Sequence, residues 1–191
     1  MSGAGFHVHG PHDHELEHAA QHEPKGLAGQ LAVITAVLAT VGALFAYQGG
    51  ATQANAGLYK NNAAIKKTEA ANKWAYFQAK SSKQNLAELA LDLGPADQKA
   101  KYQDKIARYE KEKNEIKGEA EALEQEAKDW DHKSDEQLHL HHRWAQATTA
   151  LQVSIALAAI ALLTKKRWME GATLVAGGLG VLLGALAWFH V

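Results

Sequence analysis

The chain has 191 residues, a formal net charge of −1 and no cysteine. A charge this close to zero gives no reason to expect binding to nucleic acid. The absence of cysteine excludes disulfides, thiolate metal sites and cysteine nucleophiles. Because the large apolar residues are concentrated in three blocks, the composition favours an all-α membrane protein over a soluble domain.

The first 24 residues form a polar tail that contains histidines among carboxylates. This segment lacks the large apolar residues that a core requires, so we expect residues 1–24 to be disordered. Imidazole groups beside carboxylates bind zinc, copper or nickel weakly. The candidate metal ligands are His7, His9, His12 and His14. The alternative is a solvated tail with no metal role, since a flexible segment does not supply fixed ligand geometry.

Residues 25–48 are predicted to form the first transmembrane helix. The stretch from Leu27 to Tyr47 contains no charged residue. It has about the length, roughly 20 residues, that crosses a hydrocarbon core as a helix. A buried helix of a soluble protein is the alternative, and two similar stretches later in the chain argue against it.

Residues 49–143 carry many charges of both signs and are predicted to form a long helical hairpin. Gly94 and Pro95 predict a turn at 94–96, because glycine caps a helix end and proline cannot continue the helix. Two helices joined by a tight turn run antiparallel. Steps of three and four residues predict a coiled-coil-like seam on each arm. The seam residues of the first arm are Leu58, Ile65, Thr68, Asn72, Ala75, Ala79, Ser82, Leu86, Leu89 and Leu93. Those of the second arm are Tyr102, Ile106, Tyr109, Lys113, Ile116, Ala120, Leu123, Ala127 and Trp130.

An aromatic cluster in the first arm is predicted to contact a second helix or a second subunit. Trp74, Tyr76 and Phe77 occupy three of four successive positions. One seam cannot bury all three rings, so part of the cluster must find another partner. The alternative is a patch that binds a different protein.

Four residues outside this cluster are also predicted to make close contacts between helices or subunits. The antiparallel register sets Tyr109 and Trp130 opposite small residues of the first arm, so that large side chains face small ones. In the third apolar block, Gly180-x-x-x-Gly184 lets helix backbones approach closely in lipid. We expect these glycines to pack against the other spans or a second copy.

Residues 144–164 and 171–191 are predicted to be the second and third transmembrane helices. The loop between them, residues 165–170, is short and strongly basic. Its three adjacent basic residues are Lys165, Lys166 and Arg167. By the positive-inside rule this loop lies in the cytoplasm, which places the hairpin on the periplasmic side. Basic residues of the hairpin near the membrane oppose this orientation, although long loops count little in the rule.

A second candidate metal cluster precedes the second span. Glu136, His139 and His142 follow His132 at steps of three and four, which places them on one helix face. The pair Glu136-x-x-His139 is similar to the half-motif that carboxylate-bridged metal bundles use twice. The second half is missing from this chain, so only an oligomer could complete such a site. The alternative is that these histidines face lipid headgroups.

Four segments resemble the bacterial domain-of-unknown-function 4337 family. They are NKWAYFQAKSSKQNLAEL (72–89), KYQDKIARYEKEKNEIKGEAEALE (101–124), HHRWAQATTALQ (141–152) and IALLTKKRW (160–168). The resemblance extends from about Leu31 to the C-terminus and leaves out the histidine-rich tail. It implies one span, a charged helical region and two closing spans in a bacterial inner membrane. It implies no catalytic residue, because the family has no assigned activity.

The sequence contains no phosphate-binding loop, catalytic triad or dinucleotide fingerprint. The spans contain no charged residue, which argues against an ion-coupled transporter. We therefore expect a non-enzymatic membrane protein without a tightly bound cofactor, acting as an oligomeric scaffold or as an accessory subunit of another membrane complex. Its expected partners are lipid and further copies of itself.

Two other functions stay open. An oligomer could form a channel, with the most polar residues of the second span facing the lumen. These residues are Thr148, Thr149, Gln152 and Ser154. Alternatively, the histidine-rich tail could serve metal sensing or delivery.

Overall fold

The computed structural model describes residues 26–189, and within them it contains helices and no strand. Helix α1 spans Leu27–Leu93, α2 spans Lys99–Thr164 and α3 spans Arg167–Trp188. A short 3₁₀ helix at Ala96–Gln98 lies between α1 and α2. The all-α prediction is therefore confirmed. The histidine-rich tail and the last two residues of the predicted third span lie outside the described residues.

The first interruption of the helices lies at Gly94 and Pro95, within the predicted turn. A Cβ atom on residue 94 would overlap the carbonyl oxygen of Ala90, so glycine fits here for steric reasons. Its φ is not positive, unlike that of many glycines at helix ends. Pro95 is extended, with φ −67° and ψ 153°, and its carbonyl accepts the backbone N–H of Gln98 at 3.1 Å.

The second interruption is shorter than predicted. Helix α3 begins at Arg167, so four of the six residues of the predicted loop 165–170 are helical. The reason is that Met169 is buried to 8% exposure, and its N–H bonds to the carbonyl of Lys166 at 3.1 Å. Only Lys165 and Lys166 lie outside the helices. Lys165 has a φ of 54°, and its N–H donates to Ala161 O at 2.9 Å, as in a left-handed helix cap.

The chain divides into two compact units. Of the described residues, the span unit contains 26–53 and 138–189, and the arm unit contains Ala54–Gln137. Each of the three α-helices includes a stretch long and apolar enough to cross a membrane, judged by length and composition.

The core of the span unit is built from all three helices. Leu31 of α1, Ala158 and Ala161 of α2 and Met169 of α3 form a buried cluster. Leu31, Ala158 and Ala161 are fully buried. Since alanine contributes little volume, the helices approach closely at this end of the unit.

Helix α3 packs through a face of small residues. Gly177, Gly180 and Gly184 are buried, whereas a Cβ on Gly178 would have nothing within 4 Å. An added Cβ would lie 2.7 Å from Leu151 Cδ2 at position 180 and would overlap the Phe45 ring at position 184. Both glycines of the predicted pair therefore pack within the chain, against the other two spans.

One face of each helix is buried in the arm unit, and for α2 it is the predicted one. Each of the nine predicted α2 positions, from Tyr102 to Trp130, is buried or half-buried. Ile116, Ala120 and Ala127 are the most deeply buried, with exposures of 6%, 0% and 1%. Hydrophobic spacing alone was sufficient to identify the buried face of α2, because the outward positions of this helix are mainly charged.

The predicted buried face of α1 is wrong. All ten predicted positions, from Leu58 to Leu93, are exposed. Three of the four buried positions, Ala56, Ala63 and Ala70, are seven residues apart, with exposures of 7%, 0% and 2%, and the fourth is Ala87 at 6%. Alanine allows the two backbones to approach, and the large partner residues on α2 then fill the seam. The prediction failed because two faces of α1 have a seven-residue spacing, and the spacing alone does not tell which of them faces α2.

Ion pairs connect the two helices of the arm unit at a regular spacing. Lys66 pairs with Glu126 at 3.0 Å, Lys73 with Glu119 at 2.5 Å and Lys80 with Glu112 at 2.5 Å. The lysine numbers rise by seven while the glutamate numbers fall by seven. At one end of this series, the Ser134 hydroxyl donates to the buried carbonyl of Ala56 at 2.9 Å.

Candidate functional site

A polar cluster on α2 forms one wall of a groove in the span unit. His139, His142, Arg143 and Gln146 follow one another at steps of three, one and three, which places them on the same helix face. All four are exposed. Arg143 carries a permanent positive charge, and the histidine and glutamine side chains add hydrogen-bond donors. Within the part of the chain that the structure describes, no carboxylate lines this groove.

The opposite wall of the groove is apolar and comes from α3. Leu183, Leu186 and Ala187 lie at steps of three and four on this helix. The groove has a volume of about 310 Å³. Leu186 is 40% exposed, so part of the apolar wall is accessible from outside the protein. A cationic wall therefore faces an aliphatic wall across one cavity, which we call the 143–186 groove.

Aromatic contacts hold α2 in the rotation that forms this groove. The Trp144 side chain is 5% exposed, and its ring lies 5.2 Å from that of Phe45 and 6.4 Å from that of Trp188. His141 Nδ1 is hydrogen-bonded to the carbonyl of Gly49 at 2.8 Å. Because His141 and Trp144 pack inward, the neighbouring His142 and Arg143 are directed to the other side of the helix.

The structure does not assemble the predicted metal cluster before the second span. His132 Nδ1 lies 3.2 Å from Glu136 Oε1, so Glu136 pairs one turn back along the helix. Among residues 26–189, no group of three or more histidine, aspartate or glutamate side chains is placed to hold a metal ion. His139 and His142 line the groove instead. The tail candidates His7, His9, His12 and His14 lie outside the described residues.

The second candidate site is an uncharged face on α1, which we call the outer face. It repeats at steps of three and four. It consists of Leu58, Asn61, Ile65, Thr68, Asn72, Ala75, Ala79, Ser82, Leu86, Leu89 and Leu93. Its large side chains are open, with exposures of 55% for Leu58, 66% for Leu86 and 78% for Leu93.

The outward side of α2 in the same unit is very different. Its exposed residues are mainly charged and include Glu110, Lys111, Glu115, Lys117 and Glu121. A charged outward side needs no partner other than water. The outer face of α1 has a coiled-coil spacing and no charge, which is the pattern of a face covered by another helix.

Most of the aromatic residues predicted to contact a second subunit make their contacts within the arm unit. Trp74 Nε1 donates to Glu124 at 2.7 Å, and its ring lies 5.6 Å from Phe77. Phe77 also packs under the Lys113 ammonium, 5.5 Å away. Of the three clustered aromatics, Tyr76 is the most open, at 50% exposure.

Tyr109 and Trp130 likewise have partners within the chain. The Lys80 ammonium lies 5.7 Å from the Tyr109 ring. The Trp130 ring lies 5.5 Å from Tyr59 and 4.5 Å from the Lys133 ammonium. Both rings therefore lie against the first arm, but Trp130 meets the large ring of Tyr59 and not only the small residues that were predicted.

Ion pairs of the arm unit shift the pKa values of Lys80, Glu112 and Asp131 in the directions expected for salt bridges. A hydrogen bond to Glu112 raises the pKa of Lys80, and the same bond lowers the pKa of the Glu112 carboxyl. The hydrogen bond from Lys67, followed by that from Lys60, lowers the pKa of Asp131. Each shift favours the charged form, as in a salt bridge between helices.

The chain was compared with known protein families, with curated proteins and with solved structures. Residues 27–190 match the family described as Domain of unknown function (DUF4337). The chain belongs to this family. No curated protein and no solved structure is significantly similar to it.

The DUF4337 match includes both candidate surfaces. It begins at residue 27, so the histidine-rich tail with its candidate metal ligands lies outside it. The 143–186 groove and the outer face of α1 both lie inside it. These two surfaces are therefore parts of the DUF4337 region itself.

The polar residues of the second span do not form a continuous stripe in this DUF4337 protein. Ser154 is fully buried, and its hydroxyl donates to the Thr173 carbonyl at 2.6 Å. Thr148 and Thr149 donate to carbonyls of their own helix, both at 2.8 Å. Gln152 is exposed. Ser154, one member of the predicted pore lining, is thus hydrogen-bonded between α2 and α3.

Proposed function

We propose that this DUF4337 protein is a non-enzymatic, multi-pass protein of a bacterial inner membrane that acts as a scaffold by pairing its arms with those of a second copy. The observation that carries the proposal is the uncharged outer face of α1, with Leu58, Ile65, Leu86, Leu89 and Leu93 each at least 47% exposed. Burying one such side chain stabilises an assembly by about 1.5–3 kcal/mol. A paired stalk would hold other membrane proteins at a fixed spacing, or serve one complex as an accessory subunit.

Within one copy, the arms form an antiparallel helical hairpin of coiled-coil type. The inverse numbering of the Lys66–Glu126, Lys73–Glu119 and Lys80–Glu112 pairs supports this arrangement. The alanines buried every seven residues on α1 support it as well. The hairpin supplies the stiffness that a scaffold needs, because neither helix could stay folded alone over this length without a packed face.

Between copies, the outer faces pair in parallel and in register. Two copies inserted in one membrane share a chain direction, so α1 of one copy meets the same residues of α1 in the other. The outer face then forms alternating layers, among them Ile65, Asn72 and Ala79 at one type of position and Thr68 and Ala75 at the other. An asparagine in such a layer is suited to fixing the register, because its amide is satisfied when it meets its own copy.

Single-cysteine crosslinking tests the pairing, and the chain has no native cysteine to interfere. Thr68→Cys and Ser82→Cys lie on the outer face 14 residues apart, whereas Ala107→Cys and Ala122→Cys are exposed positions on α2. We expect oxidation in membranes to produce disulfide-linked dimers of the two α1 variants but not of the two α2 variants. The short Cα separation that a disulfide requires makes the assay selective for direct neighbours.

Three results would contradict this function. The first is an absence of dimers in all variants, and the second is equal crosslinking on α1 and α2. The third is crosslinking of only one of the two α1 variants, because a parallel pair in register brings both positions next to their own copies, whereas an antiparallel pair does not. Two copies inserted in the same membrane have the same chain direction, so the proposed stalk requires a parallel pair.

The orientation in the membrane is tested separately. We propose that Lys165, Lys166 and Arg167 are cytoplasmic, following the positive-inside rule, and that the arms are periplasmic. A cysteine at Ala96, which is exposed beside the turn, should react in intact cells with a reagent that cannot cross the inner membrane. A cysteine at Lys166 should react only after the cells are broken. The reverse pattern would invert the topology.

A further inference from the structure

We infer that the 143–186 groove binds an anionic glycerophospholipid, with the phosphate at Arg143 and an acyl chain along Leu183 and Leu186. The inference uses only the membrane insertion of the chain. It does not depend on pairing of two copies, because both walls of the groove come from one chain.

The polar wall fits a phosphate diester. Arg143 presents a planar set of donors that matches phosphate oxygens, and His139, His142 and Gln146 can donate further hydrogen bonds from the same helix face. The nearest carboxylate along this side of α2, Glu136, is paired with His132 at 3.2 Å. Among residues 26–189, the groove lining therefore contains the positive charge of Arg143 and no carboxylate.

The apolar wall distinguishes a lipid from a soluble anion. Leu183 is half-buried and Leu186 is 40% exposed, so their side chains border the groove directly. Ala187, at 1% exposure, leaves room between the helices instead of filling it. A free phosphate ion would use the polar wall alone, whereas a phospholipid would occupy both walls. The volume of about 310 Å³ suits a headgroup with the first part of a chain.

The aromatic residues place this groove at the depth where headgroups lie. Trp144 and Trp188 contact each other next to the groove, with ring centroids 6.4 Å apart, and Trp188 is 61% exposed. Tyr47 is 73% exposed at the end of the apolar stretch of α1. Tryptophan and tyrosine concentrate at the membrane–water interface, where phosphates are within reach of Arg143.

The test measures lipid retention by the full-length protein purified in detergent. Phosphatidylglycerol or phosphatidylcholine is added, and bound lipid is counted by native mass spectrometry. We expect phosphatidylglycerol to be retained in preference, and Arg143→Gln to weaken its binding about tenfold, the loss expected for one charge-assisted hydrogen bond. Arg143→Lys should weaken it less, since lysine keeps the charge but not the planar geometry.

Matched controls separate this site from general charge and from free phosphate. Arg167→Gln removes an arginine of the span unit outside the groove and should leave retention unchanged. Leu186→Asn should weaken lipid binding although all charges remain. Inorganic phosphate at millimolar concentration should not displace the lipid. Unchanged helical circular dichroism of each variant excludes misfolding as the cause.

The inference would be overturned by equal retention of the two lipids, or by an Arg143→Gln variant that binds as well as the original chain. It would also be overturned if Arg167→Gln lost as much lipid as Arg143→Gln, since that would mean binding by charge alone. Displacement by inorganic phosphate would assign the groove to a soluble anion. None of these results bears on cysteine crosslinking along α1, so the two proposals fail independently.

Discussion

Gly184 of α3 lies so close to the ring of Phe45 of α1 that a Cβ atom on residue 184 would overlap the ring. Gly178 lies on the opposite side of α3 and has open space where a Cβ would be placed. Two glycines six residues apart in one helix therefore have different roles. Gly184 permits contact between spans, whereas a Cβ on residue 178 would meet nothing within 4 Å among the described residues.

The first prediction compares these two glycines. Gly184→Ala should destabilise the span unit by about 1–3 kcal/mol, the usual cost of overpacking a close contact. Gly178→Ala should be neutral or slightly stabilising, because alanine favours the helix and meets no neighbour. The thermal unfolding midpoint of the purified protein in detergent measures the difference. Equal midpoints for the two variants would show that Phe45 moves aside without cost.

The second prediction concerns the alanine seam of α1. Ala63 is fully buried, and the adjacent Ala64 is exposed. Ala63→Leu should destabilise the arm unit by about 1–3 kcal/mol, because the two helices would have to separate to accept the larger side chain. Ala64→Leu adds the same volume on the outside and should cost much less. Urea or thermal unfolding followed by circular dichroism checks this, and similar losses for both would refute the seam.

The outcome for α1 shows what hydrophobic spacing can and cannot predict. The helical class, the apolar stretches and the turn at Gly94 and Pro95 were readable from the sequence, because uncharged blocks and helix-ending residues act locally. Spans and arms were predicted as separate segments, whereas α1 and α2 each run without a break through one span and one arm. The buried side of α1 was not readable. It has two faces with a seven-residue repeat, and only contact with α2 determines that the alanine face turns inward.

The groove was only partly predictable for a similar reason. The histidines before the second span were recognised as a cluster on one helix face, with lipid headgroups as one alternative. Their apolar counterparts, Leu183 and Leu186, lie more than 40 residues away in the sequence. No periodicity in α2 points to residues on α3, so the amphipathic character of the groove becomes visible only after the spans have packed.

The third prediction is a pH dependence of the arm unit. The bonds from Lys67 and Lys60 lower the pKa of Asp131, and the bond from Lys80 lowers that of Glu112. A carboxyl whose pKa is lowered in the folded state contributes stability above its ordinary value, about 4, and loses it as the pH falls through the lowered value. We therefore expect the unfolding midpoint to drop as the solution is acidified below about pH 4.

The variant Asp131→Asn should flatten part of that acid dependence and lower the midpoint at neutral pH. Asp104→Asn is the matched control, since Asp104 is exposed on the same helix. Its profile should follow that of the original chain. An identical acid profile for Asp131→Asn and the original chain would mean that the lysine pairs do not contribute to folding stability.

The fourth prediction concerns Lys165, whose φ of 54° lies in the left-handed region. A residue with a Cβ pays about 1–2 kcal/mol for this conformation, and glycine does not. Lys165→Gly should therefore raise the unfolding midpoint, with a gain of up to about 1 kcal/mol after the extra chain entropy of glycine is deducted. Lys166→Gly removes an equal charge at φ −92° and should not raise it. A gain in both variants would assign the effect to charge.

The Lys–Glu pairs of the arms repeat at the same seven-residue interval as Ala56, Ala63 and Ala70. Each pair is therefore equivalent to the next one along the arms. Sliding one helix by seven residues, about 10 Å, would bring Lys66 to Glu119 and Lys73 to Glu112 while alanines still met large side chains. Charge and packing in the middle of the arms thus favour several alignments nearly equally. Two features at the ends of the arms do not repeat, namely the Ser134–Ala56 hydrogen bond and the Gly94–Pro95 turn. They distinguish the observed alignment from alignments shifted by seven residues. The contacts at the two ends therefore matter more for the alignment of the arms than their small number suggests.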